Sequence, residues 1–214
     1  MARPIDGRPV THVDVDGSLL DVEASFCYLG GMLGAGGGCG SAIAARCCVA
    51  WGEFRKLLPV LTTRHLSPKI RGKVYSACVR SAMLHGGGTF GPNGSSLRRL
   101  RRGDRAVVRW MCGAGGRVET SSGRLLLRLG IDDITSVLLG RRLGWFGHVQ
   151  RSTSSIRSVT DLAIPGNIGR GRPRKTWSEC VKNDIRECNL SGVNPLDRDA
   201  WRQGVRLSLV LPTP

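Results

Sequence analysis

The sequence predicts a mainly α protein with a small β unit at its amino end, and three observations lead there. Apolar residues recur at helical spacing after residue 41, as in Ile43, Cys47, Ala50 and Phe54, and again in Leu97, Leu100, Val107, Val108 and Met111. Helix-start signals precede further runs: Ser67-Pro68, and Thr176 with Glu179 three residues on. Strand-like alternation is confined to the amino end, where Val10 to Val22 alternates around Asp16-Gly17, a dipeptide favoured in two-residue hairpin turns. With 214 residues, 41% of them hydrophobic, the chain suffices for one large or two small domains with a true core.

Taken in order, residues 10–22 are expected to form a hairpin, and Phe26 to Gly30 a third strand ending at a glycine. His12, Asp14 and Asp16 occupy alternate positions and read as one solvated strand face rather than a metal set. The glycine-rich run 34–40 lacks the Gly-Lys-Ser/Thr ending of a phosphate loop and reads as a connector. A helix follows from Ser41 to Leu58, closed by Pro59. Ser67-Pro68 opens a second, with its inner face expected at Ile70, Val74, Ala77, Cys78 and Ser81 and its end at Gly86-Gly87-Gly88. A third is expected to start at Ser95 or Ser96. Beyond a joint at 113–118, Thr120 to Leu129 reads as a short helix stopped by Gly130. Asp132-Asp133 fits N-capping of the next helix better than metal binding. That helix ends near His148, and a polar linker runs from Ser152 to Ile168. The last two helices begin at the Thr176 capping box and after Asn194-Pro195, the latter carrying Trp201, Val205 and Leu209. The expected units are therefore 1–34, 41–112, 119–150, the linker 152–168, and a basic helical region 169–209.

Charge carries the functional reading. Thirty-two Lys+Arg against 16 Asp+Glu leave a formal net charge of +16. Unpaired buried charge costs several kcal/mol, so this surplus belongs at a surface, and the dense cellular polyanion is nucleic acid. Arginine dominates, and its planar fork suits phosphate. Three stretches concentrate it. In the third helix Arg98, Arg99, Arg101, Arg102, Arg105 and Arg109 face a single acidic neighbour, Asp104, too few for pairing along the helix. Arg141 and Arg142 open a basic-aromatic cluster with Trp145, Phe146 and His148. Arg170, Arg172, Arg174 and Lys175 fall within the segment Gly169 to Lys175. Trp145, Phe146 and Trp177 read as core rather than as platforms for bases. Gly103 interrupts the third helix at a cost of roughly 1 kcal/mol relative to alanine, for no reason visible in the sequence.

The same features narrow the class. Met1 to Gly17 holds no apolar run of a secretory leader, and no stretch reaches the ~20 apolar residues of a membrane span. The eight cysteines lie mostly in apolar periodic segments, where a free thiol acts as a small hydrophobe. The expectation is a reduced, intracellular protein of nucleus or cytoplasm, without membrane contact.

Several motifs in one order carry a resemblance. Phe26-Cys27-Tyr28-Leu29-Gly30, Trp51-Gly52-Glu53-Phe54, Leu66 to Tyr75, Arg109-Trp110-Met111-Cys112-Gly113, Arg142 to Val149 and Gly169 to Trp177 resemble a LINE-type retrotransposon reverse transcriptase over about residues 10–205. The resemblance implies the carboxy-terminal part of such a polyprotein. Tyr28, Leu29 and Gly30 would match its primer grip, residues 41–111 its thumb, and the region after Gly113 an extension engaging RNA and target DNA. Expected partners are RNA, DNA or an RNA–DNA hybrid, and the rest of the polymerase. The family's aromatic-x-Asp-Asp box has no counterpart here, so Mg²⁺ is expected only in the missing palm, and no catalytic residue, metal ligand or cofactor is assigned to this chain. Where relatives carry Tyr-Gly-x-Glu-Thr-Trp, this chain has His85-Gly86-Gly87-Gly88-Thr89-Phe90. With Gly103 and Gly123 inside helical patterns, that departure suggests a decayed copy without autonomous polymerase activity.

Three alternatives stand beside this reading. Arg170-Gly171-Arg172-Pro173 is similar to an AT-hook, a minor-groove DNA binder. His148, Cys180 and Cys188 suggest a zinc-dependent nucleic-acid-binding module, though without the close cysteine pair that structural zinc usually takes. The arginines would also suit an acidic protein partner.

Overall fold

Asp16 and Gly17 turn the first hairpin with φ of 52° and 80°, the left-handed pair that a tight turn between twisted strands requires. In the computed structural model, which describes residues 12–28, 30–34, 38–114, 121–153, 155–160 and 175–210, strand β1 (His12–Val15) pairs antiparallel with β2 (Ser18–Asp21). The Asp14 carboxylate accepts the Gly17 amide at 2.9 Å, and His12 meets Asp21 across the ladder at 2.9 Å. A second hairpin joins β3 (Ser25–Tyr28) to β4 (Gly31–Gly34). Strand β4 is not anticipated in the sequence, because glycines at both of its ends hide the β pattern. It is held in place by α1 (Gly40–Lys56), against which it packs.

The remainder is helical. Pro59 does not end a helix but sits in the first turn of a new one, α2 (Leu58–Thr62), where its missing N–H is no loss. Ser67 caps α3 (Pro68–Tyr75) by accepting the Ile70 amide, as its position before proline predicts. The chain then passes through a π-helical turn, Ser76–Arg80, into α4 (Ser81–Met83). The face expected inward on this segment is in part outward: Ile70 is 47% exposed, and Ala77 and Cys78 are exposed. Tyr75, Val79 and Met83 fill the core instead, accompanied by Arg71 and Arg80. The inward face is already set at Arg71 and Tyr75, ahead of the wider turn, which alters the helix face only from Ser76 onward, and both arginines find acceptors inside. Arg71 Nη1 donates to the carbonyls of Leu61 (3.2 Å) and Met111 (2.8 Å), tying down two helix ends.

Asn93 rather than Ser95 or Ser96 caps α5 (Gly94–Met111), its side chain accepting the Ser96 amide at 2.8 Å. Ser121 caps α6 (Ser122–Leu129), which Gly130 stops at φ 63°. Asp133 caps α7 (Ile134–Arg151), and a short helix α8 (Ser155–Thr160) lies within the expected linker. The predicted capping box at Thr176 and Glu179 is complete at the start of α9 (Trp177–Glu187), and α10 (Arg198–Val210) follows. The larger core joins α1 through α7 around Phe54, Tyr75, Leu100, Val107 and Leu138. A smaller one gathers Leu143, Leu190, Trp201 and Val205 between α7 and α10. Among the described residues no helix is long and apolar enough to cross a membrane.

Candidate nucleic-acid interface

The amphipathy of α5 sorts its residues cleanly. Ser96, Leu100, Asp104, Val107, Val108 and Met111 are buried, whereas Arg98, Arg99, Arg101, Arg102 and Arg105 are exposed and Arg109 is half-buried. At 3.6 residues per turn, Arg98, Arg102, Arg105 and Arg109 stack in one line opposite Leu100 and Val107, roughly 16 Å long. Arg99 and Arg101 form the two shoulders of that line.

Asp104 does not face this ridge. Its carboxylate points into the core, accepting Tyr75 Oη at 2.7 Å and Arg80 Nε and Nη2 at 2.7 and 2.9 Å. Burial and the adjacent Asp104 carboxylate push the Tyr75 phenol well above its ordinary value, so it stays a donor. The acidic residue of α5 is therefore consumed by an interior arginine. On the ridge itself, Arg101 reaches Thr135 Oγ1 at 3.0 Å and lies 3.8 Å from Asp133. Arg98, Arg99, Arg102 and Arg105 make no ion pair among the described residues. Burial alone would raise Asp133, but hydrogen bonds from the Thr135 hydroxyl and amide and the charges of Arg101 and Arg105 hold it below the usual carboxylate value.

The other predicted contacts divide. Arg141 is exposed, with Nη1 donating to the Leu84 carbonyl at 2.8 Å. Arg142 is a correction: it is buried, gripping Asp184 through Nε (2.5 Å) and Nη2 (2.9 Å) and the Phe90 carbonyl through Nη1 (3.2 Å). A guanidinium so occupied cannot meet an external phosphate. Neighbouring arginines on a helix point about 100° apart, and Asp184, far along the chain, decides which one turns inward. Lys175 is exposed directly before the α9 cap, while Arg170, Arg172 and Arg174, and with them the AT-hook-like segment, lie outside the described residues. Phe146 and Trp177 are half-buried with ring centroids 6.4 Å apart, and Trp177 Nε1 donates to the Gly88 carbonyl at 2.8 Å, consistent with core roles.

At the grip-like turn, Tyr28 ends β3 with 59% of its surface exposed, and Gly30 turns the chain at φ 75°. Leu29 lies outside the described residues. Arg46 of α1 donates to the Gly30 carbonyl, a cation absent from the sequence-based set because nothing local marks it. Turn, α1, the Gly86–Gly91 segment and Lys175–Trp177 enclose a cleft of about 520 Å³. Among the described residues no group of three or more His, Cys, Asp or Glu is placed to hold a metal ion; Cys180 is buried and His148 exposed. Comparison with protein-family models, with curated proteins and with solved structures finds nothing that matches the chain.

Proposed function

We propose that this chain binds nucleic acid without regard to sequence, laying the arginine face of α5 along a sugar–phosphate backbone. On this reading it is the thumb and carboxy-terminal part of a LINE-type reverse transcriptase, whose chemistry resides in carboxylates this chain lacks. The observation that carries the binding claim is the exposed line Arg98, Arg102 and Arg105, with Asp104 turned away from it. Helix-borne guanidiniums at fixed spacing suit a backbone read by charge and shape rather than by base edges. The motif order given above supports the second claim. So do Leu19, Phe26, Tyr28 and Leu33, all more than half exposed on the amino-terminal hairpins, as on a surface that another polypeptide covers.

The test is the salt dependence of duplex and hybrid binding by the full chain. Replacing Arg98, Arg102 and Arg105 by glutamine should lower the slope of log K against log salt by about 0.9 per lost contact on B-form DNA. An unchanged slope, or displacement by an acidic peptide as efficient as by hybrid of equal charge, would remove the proposal.

A further inference from the structure

We infer that the groove between α7 and α10 is a second nucleic-acid site, built for a single strand. The inference rests on the nucleic-acid reading above but uses a different surface. The groove measures about 660 Å³, and none of its lining residues is acidic. Arg198, Arg202 and Arg206 line one wall at intervals of four residues, about 6 Å apart along α10. Arg151 stands on the opposite wall, with one nitrogen bound to the Pro195 carbonyl at 2.6 Å. Among the described residues, Arg198, Arg202 and Arg206 have no ion pair.

The floor adds an independent observation. Helix α7 carries glycines at 140, 144 and 147, residues that weaken a helix unless packing requires them. Packing calls for Gly147, where a Cβ would lie 2.6 Å from the buried Trp201 ring, while at Gly140 it would press only on the end of the Leu209 side chain, at 2.7 Å. Gly144 differs, since a Cβ there would meet nothing within 4 Å. Its absent side chain opens the floor of the cationic groove. Beside it the exposed His148 ring lies 5.2 Å from that of Trp145, tilted by 39°. A basic groove with an accessible ring is the combination used to track single strands, where phosphates follow the cations and a base stacks.

Position separates this site from the ridge. At about 100° per residue, Gly140, Gly144, His148 and Arg151 occupy the side of α7 opposite Thr135 and Arg142. Thr135 is the residue that touches Arg101 of α5. The two cationic surfaces therefore face different directions, and one protein can hold duplex on one and a displaced or template strand on the other.

The experiment measures binding of the full chain to a labelled oligothymidylate and to a duplex across a salt series. Replacing Arg198, Arg202 and Arg206 by glutamine should lower the single-strand slope by about 0.7 per lost contact while leaving duplex binding to the ridge in place. Gly144→Leu, which puts a better helix former in open space, should weaken single-strand binding while the melting midpoint holds or rises. Single-strand binding unchanged in both variants, with loss only on ridge substitution, would overturn the groove and leave the proposed function standing. Polyglutamate displacing the strand as well as a nucleic acid of equal charge would overturn it in favour of an acidic protein partner. Wild-type protein that binds neither strand nor duplex would sink both readings together.

Discussion

Arg80 and Asp104 form a two-point ion pair, at 2.7 and 2.9 Å, with both side chains almost wholly removed from solvent. It joins the π-helical turn to the inner face of the arginine helix, while Arg80 Nη1 reaches on to the Asp132 carbonyl at 2.6 Å. Breaking a buried pair leaves one charge without compensation, at about 3–5 kcal/mol. Asp104→Asn is therefore expected to lower the unfolding free energy measured in denaturant by an amount of that order. In protein that still folds, the salt slope of nucleic-acid binding should stay as it was, because Asp104 does not contribute to the ridge. A changed slope with unchanged stability would place Asp104 on the binding surface instead.

Arg142 and Asp184 give the same physics a second test. Their contact fastens α7 to α9 beside the residues that follow the basic segment 169–175. Arg142→Met alone should cost about 3–5 kcal/mol, whereas Arg142→Met combined with Asp184→Leu should recover much of that loss, since apolar replacement of a whole buried pair is often neutral. A double-mutant cycle in urea measures the coupling. Additive effects would mean that the two residues act separately.

Asp133 predicts the acid behaviour. Its carboxyl titrates lower in the folded chain than its ordinary value of about 3.9, so the stability it contributes is complete above that value. That contribution is lost as pH falls from there through the lower folded value. Asp133→Asn keeps the cap on Thr135 but removes the charge, and should flatten the acid limb of the stability curve. Asp133→Ala should in addition cost about 1 kcal/mol at neutral pH through loss of the cap. An acid limb identical in wild type and Asp133→Asn would show that the titration lies elsewhere.

What the sequence disclosed and what it withheld follow from the range of the interactions. The Asp16-Gly17 turn, the Ser67 and Asp133 caps and the Thr176–Glu179 box are decided within four residues, and each stands where local chemistry puts it. The exposed arginines of α5 were legible for the same reason, as the complement of a strong apolar stripe. Arg142 was not, because its fate depends on Asp184, and neither were Arg71 and Arg80, whose acceptors are carbonyls and a carboxylate from other helices. Arg46 joins the grip-like turn only because β4 packs on α1. The α10 arginines show a visible four-residue spacing, but the groove exists only once α7 stands opposite.

Gly103 and Gly72 separate a glycine that is tolerated from one that is required. A Cβ on Gly103 would lie 3.5 Å from Cys47 Sγ and 3.9 Å from Met83 Cε, ordinary contacts that demand no movement. Nothing in the structure calls for glycine there, so Gly103→Ala should stabilise by up to about 1 kcal/mol through helix propensity alone. On Gly72 the same atom would stand 2.1 Å from the Leu129 carbonyl oxygen, where α3 meets the end of α6 backbone to backbone. Relief requires one helix to move, and Gly72→Ala should destabilise by about 1–3 kcal/mol. Paired thermal melts of the two variants measure the difference directly. If Gly72→Ala leaves the midpoint in place or raises it, the close approach of α3 to α6 is not what holds Gly72 in place.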